Sequence, residues 1–265
     1  MQTSLLKSLR TIDNLECVLE CPNRFVCSIP IVDSSICNNI NTVKKTDRKI
    51  SFSPSAAIVD EFIKKDPINK YLIHYWPFNG NYNDVISKAN LFNGKNDSLV
   101  TDRFDKPSSS LYLNYGSLQA PSGNYIYGDF TVTTWVKMFT LETYRRFLVL
   151  QPTRGNIVYL SLTNINGEPY YYYQNGDQIA NATLKIGKWQ HLAFTVKGST
   201  LSIYIDGIAV YNGITTPISS QTFTYVYFGG DMNFFVNAQL DDIKIFNRSL
   251  TKSEIIQSSL LNLNT

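Results

Sequence analysis

The sequence predicts an all-β protein, mainly a two-sheet antiparallel sandwich of jelly-roll type, preceded by a small N-terminal α+β piece. Two observations predict the sandwich. Apolar and polar residues alternate with a period of two over many short runs, and turn clusters such as Asn79-Gly80-Asn81 and Asn166-Gly167 separate these runs. A third observation sets the N-terminal piece apart, because all four cysteines of the chain lie within residues 1–43.

Three segments follow from these differences in composition. Residues 1–43 form the cysteine-containing piece, residues 44–70 are a linker rich in Lys, Asp, Ser and Pro, and residues 71–265 form the sandwich. A chain of 265 residues has room for one large domain and one small one.

The N-terminal piece is expected to contain a short helix. Thr11 or Asp13 would cap it, Cys17 and Cys21 are four residues apart and would lie on one face, and Pro22 would end it. The two later cysteines would then staple this helix to the chain that follows it.

The sandwich is expected to be made of short strands throughout. Alternation with a period of two predicts strands at residues 73–78, 110–113, 130–137, 146–150, 157–162, 170–173, 190–196, 201–205, 208–211, 226–228 and 238–246. Asp206-Gly207 offers a residue of positive φ for a hairpin turn. We expect the core to include Trp189, Leu192, Phe194, Leu201, Ile203 and Ile205.

Six pieces of the sandwich resemble a known family in their order along the chain. They are YWPF at residues 75–78, FTVTTWVK at 130–137, WQHLA at 189–193, LSIYIDG at 201–207, FGG at 228–230, and LDDIKIFNRSL at 240–250 followed by Glu254-Ile255. This succession is similar to the laminin G-like jelly-roll domain of the concanavalin A-like lectin/glucanase superfamily, over residues 71–256. The resemblance implies two large antiparallel sheets packed face to face.

The cysteine spacing C-x3-C-x5-C-x9-C resembles the core of PAN/apple modules, which are secreted adhesion domains. That resemblance implies disulfides between Cys17 and Cys37 and between Cys21 and Cys27, although four cysteines permit three pairings. A zinc site is the alternative, and the absence of C-x2-4-C pairs and of a nearby histidine weighs against it. The piece is shorter than such a module, so we expect the chain to be a fragment or a truncated module.

The sandwich lacks the residue patterns of hydrolases. Its three glutamates, Glu142, Glu168 and Glu254, are far apart, and no two acidic residues are spaced i, i+2. A retaining glycosidase needs two carboxylates about 5 to 5.5 Å apart. His74 and His191 both lie within predicted strands, and no G-x-S-x-G motif is present. We therefore expect no enzymatic activity.

Calcium is the one cofactor for which the resemblance offers candidate ligands. Members of the family often hold a calcium ion with an early aspartate and another near the last strand, which here would be Asp84 and Asp241 or Asp242. The loop after Asp84 departs from the usual Gly/Asn-rich sequence. The alternative is that these aspartates cap turns and accept hydrogen bonds from backbone amides.

Aromatic and amide side chains in loops are the candidate ligand-binding residues, because aromatic rings stack on sugar rings and amides bond to hydroxyl groups. The run from Tyr170 to Tyr173 is ambiguous, since alternate residues of a strand face opposite ways. The candidates are Tyr125, Tyr127, Tyr144, Arg145, Tyr171, Tyr173 and Asn175.

Net charge and targeting signals restrict the partners and the compartment that the sequence predicts. A net charge of +3, scattered over the chain, does not favour nucleic acid, and no run of about 18 apolar residues is present. The even number of cysteines and the sequons at Asn96, Asn181 and Asn247 favour secretion and glycosylation, although residues 1–10 contain no signal peptide. We therefore predict a secreted, non-catalytic recognition or adhesion protein that binds glycan or extracellular protein through rim loops or a concave sheet. The alternative is an accessory or divergent domain of a polysaccharide hydrolase.

Overall fold

A computed structural model of the chain describes residues 11–12, 14–20, 26–30, 68–174, 176–231 and 233–260. For the strands within residues 11–30, and for Leu260, it describes the backbone alone. The chain divides into two compact units, Met1–Phe52 and Ser53–Thr265, which we describe separately.

The first unit contains a three-stranded antiparallel sheet. Its strands are β1 (Thr11–Ile12), β2 (Asn14–Glu20) and β3 (Val26–Pro30), in the order β1-β2-β3. Strand β2 occupies the residues for which the sequence predicted a helix, so that prediction was wrong.

The physical reason lies in the competing periodicity of the same residues. Leu15, Cys17 and Leu19 have one strand parity and Asn14, Glu16 and Glu20 the other, so the segment has a strand pattern, interrupted at Val18, as well as a weak helical one. Pairing with β3 then selects the extended form. The cysteine pairings predicted for this unit depend on side chains outside the described part of the chain.

The second unit is a 13-stranded antiparallel β structure. Its strands are β4 (Leu72–Trp76), β5 (Phe92–Val100), β6 (Ser110–Ala120), β7 (Phe130–Met138), β8 (Arg146–Gln151), β9 (Val158–Ser161), β10 (Tyr170–Tyr172), β11 (Asp177–Ile179), β12 (Trp189–Lys197), β13 (Thr200–Ile205), β14 (Ile208–Ile214), β15 (Tyr225–Phe228) and β16 (Val236–Phe246). A 3-10 turn, Asn69–Tyr71, precedes them and helix α1, Lys252–Leu260, follows them.

The strands form two half-sheets that are joined where β6 pairs with β16. The first half-sheet has the order β14-β13-β12-β7-β16, and β4 pairs with the second part of β16. The second half-sheet has the order β11-β10-β9-β8-β15-β6, and β5 covers the other edge of β6. Every strand pair in this unit is antiparallel, which confirms the predicted sandwich class.

The main core lies between the two half-sheets, because one buried cluster takes side chains from both. Val132, Phe194 and Ile245 come from the first half-sheet, and Leu160 and Phe228 come from the second. Each large apolar side chain buried in this way contributes about 1.5–3 kcal/mol of transfer free energy.

Five of the six predicted core residues on β12 and β13 are in this cluster, namely Leu192, Phe194, Leu201, Ile203 and Ile205. Trp189 is the exception. It is half-buried and shares the parity of His191 on β12, so its ring lies on the face opposite the core.

Helix α1 covers part of that opposite face. Its residue Ile255 is fully buried in a second apolar cluster with Leu72, Tyr75 and Phe246. The helix begins with a capping box, in which the Thr251 backbone N–H donates to the carboxylate of Glu254 at 2.8 Å. No helix in the described ranges is long and apolar enough to cross a membrane.

Gly229 and Gly230 connect β15 to β16 and need glycine at both positions. Their φ values are 89° and 110°, and a Cβ at Gly229 would overlap the carbonyl oxygen of Gly116. The tight turn that results brings Asp231 and Phe234 to the end of β15, where the Phe234 N–H donates to the Asp231 carbonyl.

Candidate functional site

The outer face of the second half-sheet is lined with tyrosines. In the strand register one row of residues crosses six strands, with each residue directly opposite the next: Gln119, Tyr227, Val149, Tyr159, Tyr172 and Asp177. Neighbouring strands are about 4.8 Å apart, so the row is roughly 24 Å long.

Neighbouring rows widen this surface. Tyr225 is paired with Gln151 on one side of the central row, and Arg146, Ser161, Tyr170 and Ile179 form the next row on the other side. We call the three rows together the tyrosine face. It is opposite the core because the residues between its members, such as Val158, Leu160 and Tyr171, belong to the core cluster.

Four of the five tyrosines of the tyrosine face are partly open to solvent, and Tyr170 is buried. Tyr225 is 51% exposed, and Tyr227, Tyr159 and Tyr172 are half-buried. The rings of Tyr159 and Tyr172 stack with centroids 5.2 Å apart at an interplanar angle of 28°. Val149 lies fully buried between Tyr227 and Tyr159, so the rings rest on an apolar base.

A single arginine is held in the middle of these rings. The Arg146 guanidinium carbon lies 3.8 Å from the ring centroid of Tyr159 and 4.2 Å from that of Phe234. One of its terminal nitrogens donates to the Asp231 carboxylate in an ion pair. At the edge of the face, the exposed ring of Tyr144 makes edge contacts with Tyr170 and Phe234.

Burial shifts the pKa values on the tyrosine face upward. It raises the pKa of Tyr159 and of Tyr170, although the nearby Arg146 opposes both shifts, and it raises the pKa of Asp177. The hydroxyl groups of Tyr159 and Tyr170 therefore stay protonated at neutral pH. Each can donate one hydrogen bond and accept others, as a ligand rich in hydroxyl groups requires.

The structure separates the predicted ligand-binding residues. Tyr125, Tyr171 and Tyr173 are buried in the core cluster, so their rings offer no open face. Within the run 170–173 the residues on the outer face are Tyr170 and Tyr172, and of these Tyr172 is partly exposed whereas Tyr170 is buried, which corrects the predicted choice of Tyr171 and Tyr173 by one residue. Such an error is expected, because a shift of one position reverses the face of every side chain in a strand.

The other predicted residues lie in different places. Tyr144 is 37% exposed at the edge of the tyrosine face. Arg145 is bonded to the Glu142 carboxylate and to the carbonyl oxygen of Asn233. Asn175 lies outside the described residues.

Tyr127 belongs to a separate open groove of about 560 Å³. Its ring is 43% exposed, and Asn124 and Asn247 supply amide groups to the same groove. The complete lining is Leu72, Ile73, His74, Ile86, Ser87, Asn124, Tyr127 and Asn247. We call this the Tyr127 groove.

Behind the Tyr127 groove, a serine, a histidine and an aspartate meet without forming a catalytic triad. His74 Nδ1 lies 2.7 Å from both the Asp84 carboxylate and the Ser87 hydroxyl. A triad needs the serine and the carboxylate on opposite nitrogens of the imidazole, whereas here both contact the same nitrogen.

Asp84 is held as an anion by its hydrogen bonds. Burial alone would raise its pKa, but hydrogen bonds from His74, Ser87 and the backbone N–H groups of Tyr75 and Ile86 outweigh that effect and lower the pKa to about 2. Its two oxygens are therefore already used inside the protein.

Asp241 and Asp242 also have partners inside the protein. A bulge in β16, with Asp242 at φ 48°, lets both side chains reach the Arg103 guanidinium. The Tyr75 hydroxyl donates to Asp242. Burial and the neighbouring Asp242 raise the pKa of Asp241, whereas Arg103, which pairs with both carboxylates, opposes the shift.

These contacts do not fit a calcium site. Calcium requires six to eight oxygen ligands with full negative charge nearby. Among the described residues no group of three or more His, Cys, Asp or Glu side chains is placed to hold a metal ion. Asp84 bonds to His74, whereas Asp241 and Asp242 bond to Arg103.

His191 is a buried residue of the first half-sheet. Its ring packs edge-on against Trp135, with centroids 5.5 Å apart. Burial, Lys244 and Arg103 lower its pKa to about 3, so the imidazole is neutral at physiological pH. His191 lies within β12, as its place in a predicted strand required.

Most residues of the tyrosine face were not predicted from the sequence. Tyr225 and Tyr227 alternate with the core residues Val226 and Phe228, and Tyr159 lies between Val158 and Leu160. That alternation was a usable signal for a surface of tyrosines. The pairing of Arg146 with Asp231, 85 positions away, has no local signal in the sequence.

Comparison with known proteins identifies the relatives of this sandwich. The family model of the concanavalin A-like lectin/glucanases superfamily matches residues 113–256, which is more than half of the chain. No curated protein sequence matches the chain.

Several solved structures share the fold. Domain 4 of AbnA, a GH43 extracellular arabinanase from Geobacillus stearothermophilus, in complex with arabinotriose, has a TM-score of 0.59 and 19% identity; the match covers 71% of this chain and 97% of that domain. The binding domain of Paraclostridial Mosquitocidal Protein 1 has a TM-score of 0.56 and 17% identity, covering 71% of this chain and 51% of the other.

The binding domain of botulinum neurotoxin DC, in complex with rat synaptotagmin II, has a TM-score of 0.54 and 15% identity, covering 74% of this chain and 53% of the other. The chain thus spans about half of the toxin binding domains and nearly all of the arabinanase domain. At these identities the likeness concerns the fold.

Proposed function

Because the chain belongs to the concanavalin A-like lectin/glucanases superfamily, we propose that it is a non-catalytic recognition protein whose tyrosine face binds glycan. The observation that carries this proposal is the row of partly exposed tyrosines along one sheet. Rings of this kind offer flat apolar surfaces with a hydroxyl group at the edge, and they match the two kinds of surface on a sugar. Gln119, Gln151 and Asp177 supply polar groups beside them.

The comparisons support this proposal by analogy. The arabinanase domain has arabinotriose bound in its structure, and the toxin relatives are binding domains. An extracellular protein ligand is the second candidate, because the neurotoxin binding domain has been captured with synaptotagmin II. We place the chain outside the cell, and the exposed side chains of Asn96, Asn181 and Asn247 are available for glycosylation there.

The chain is proposed to work without calcium and without catalysis. The three candidate calcium ligands are engaged by His74 and Arg103. The one meeting of serine, histidine and aspartate described above has the wrong connectivity for a nucleophile. A role as an accessory domain of a polysaccharide hydrolase stays open as the alternative.

A glycan array with the full chain tests the proposal. The wild-type protein should retain a defined set of oligosaccharides, and retention should be the same with calcium and with EDTA. A variant carrying Tyr159→Ala and Tyr172→Ala should lose this retention. Tyr127→Ala is the control, because it removes an exposed tyrosine ring from the separate Tyr127 groove.

Each result decides between the candidates. Loss of binding in Tyr127→Ala, with the double variant unaffected, would move the site to the Tyr127 groove and refute the tyrosine face. Release of reducing sugar from a polysaccharide would refute the absence of catalysis. Capture of protein partners without any glycan binding would favour the second candidate.

A further inference from the structure

The tyrosine face contains a guanidinium whose charge is already balanced. Two aromatic rings pack against the Arg146 guanidinium, whose carbon lies 3.8 Å from the ring centroid of Tyr159 and 4.2 Å from that of Phe234. Its partner carboxylate belongs to Asp231, and the two side chains are only 12% and 9% exposed. An arginine enclosed in this way holds the rings in place and has little capacity left for an anionic ligand.

A second carboxylate adds negative charge to the same face. Asp177 is exposed at the end of the central row, directly opposite Tyr172, and lies within the electrostatic range of Arg146. No lysine is among the residues of the tyrosine face as defined above. Together with Asp231, the ion-pair partner of Arg146, the charged residues of the tyrosine face are two carboxylates and one guanidinium, which sum to a net negative charge.

This charge balance disfavours one class of glycan. A carboxylate or sulfate group on a sugar would lose part of its hydration on the face and meet like charge there. The hydroxyl groups of an uncharged sugar would instead meet the hydroxyl and amide groups of Tyr159, Tyr172 and Gln119. The face therefore favours uncharged ligands.

Resting on the proposed glycan binding, we propose that Asp231 is a specificity-determining residue: by neutralising Arg146 it makes the tyrosine face select uncharged oligosaccharides and reject those that carry carboxylate or sulfate groups. The residue acts through Arg146 and needs no contact with the sugar. Removing its charge should release the Arg146 guanidinium for an acidic ligand.

The experiment uses one neutral oligosaccharide selected by the full chain and the same oligosaccharide oxidised at C6 to the uronate. The two ligands share a backbone and differ in charge. For the wild-type chain we expect calorimetry to give about tenfold weaker binding of the uronate. In Asp231→Asn the dissociation constant of the uronate divided by that of the neutral oligosaccharide should fall roughly fivefold or more. The dissociation constant of the neutral oligosaccharide should change less than about threefold.

Two further variants keep the result interpretable. Asp177→Asn removes the other, exposed carboxylate and should narrow the ratio in the same direction, even if Asp231→Asn fails to fold. Asp105→Asn is the charge control, because Asp105 is exposed in the loop that follows β5, at a φ of 65° that asparagine adopts as readily. It should leave the ratio unchanged.

The outcomes separate this inference from the proposed function. Equal binding of both ligands by the wild-type chain, or an unchanged ratio in a folded Asp231→Asn variant, would refute the role of Asp231 and leave glycan binding standing. If Asp231→Asn does not fold, an unchanged ratio in Asp177→Asn would refute the charge-based selection. Binding of neither ligand, with no glycan retained on the array, would refute the proposed function and the inference with it.

Discussion

The direction of single side chains decides which residues of this sandwich can meet a ligand. In β10 the ring of Tyr171 lies in the core, whereas Tyr170 and Tyr172 on either side of it point to the opposite face. Two chemically identical residues thus have different roles because they differ by one position in a strand.

This parity makes Tyr172 and Tyr171 a matched pair. We expect Tyr172→Ala to weaken binding of a retained glycan about fivefold, because stacking on an aromatic ring contributes about 1 kcal/mol. Tyr171→Phe keeps the buried ring and should leave affinity unchanged, which titration calorimetry can show for both variants. A loss of affinity in Tyr171→Phe equal to that in Tyr172→Ala would contradict the assignment of faces.

The lowered pKa of Asp84 predicts how the free energy of unfolding changes at acidic pH. Its pKa of about 2 in the folded chain lies below the ordinary value of 3.8 that applies when it is unfolded. A lowered folded pKa stabilises the protein above pH 4, and that contribution is lost as the pH falls from about 4 to about 2. We expect the loss to be about 2 kcal/mol, measured by urea unfolding at a series of pH values.

The variant Asp84→Asn isolates this contribution. It should be less stable than wild type at pH 7, and the difference between the two proteins should shrink as the pH falls from 4 to 2. Glu254, whose pKa is also lowered to about 2, is present in both proteins and cancels in the comparison. A difference that does not vary with pH over this range would show that Asp84 is not held as an anion.

At the scale of elements, the sequence predicted the strands whose alternation reflects burial on one side. Strand β12 is an example, because Leu192, Phe194 and Val196 all enter the core. Strand β5 could not be found in this way. Its residues are mostly exposed and polar, and its pairing with β6 contains two register shifts, so no period of two develops along it.

The helices were predicted wrongly in two ways: one was predicted where a strand forms, and one was not predicted at all. The N-terminal piece has a weak helical pattern that strand pairing overrides, whereas α1 has nine residues and too short a pattern to stand out.

The candidate site also combines residues that the sequence could have predicted with residues that it could not. The alternation of Tyr225 and Tyr227 was available in the sequence, but the pairing of Arg146 with Asp231 depends on the fold.

Helix α1 provides a second matched pair. Ile255 is fully buried against Leu72 and Tyr75, whereas its neighbour Ile256 is 41% exposed. We expect Ile255→Ala to lower the free energy of unfolding by about 2–4 kcal/mol and Ile256→Ala by less than about 1 kcal/mol, as measured by denaturant unfolding. Equal effects would mean that the helix does not dock on the sheet through Ile255.

At the scale of the whole second unit, the two half-sheets use their outer faces differently. The outer face of the first is partly covered by α1 and carries the buried residues His191, Asp241 and Lys244. The outer face of the second carries the partly exposed tyrosines. The first face therefore contributes to stability, and the second has the surface on which a ligand can lie.

The buried charges of the first half-sheet predict how the molecule responds to calcium. A calcium ion that binds the folded chain, at a free concentration a hundred times its dissociation constant, would stabilise the fold by about 2.7 kcal/mol and raise the melting temperature by several degrees. Because Arg103 already balances the charge of Asp241 and Asp242, we expect melting temperatures in millimolar calcium and in EDTA to agree within about 1 °C, a difference that corresponds to well under 1 kcal/mol.

Removing the Arg103 side chain should destabilise the fold. Arg103→Met leaves a buried carboxylate without its partner, and we expect it to lower the free energy of unfolding by about 3–5 kcal/mol. Arg154→Met, in an exposed loop after β8, is the matched control and should have little effect. If calcium instead raises the melting temperature of the wild-type chain by several degrees, and Asp241→Asn abolishes that rise, Asp241 binds the ion, and internal neutralisation by Arg103 is refuted.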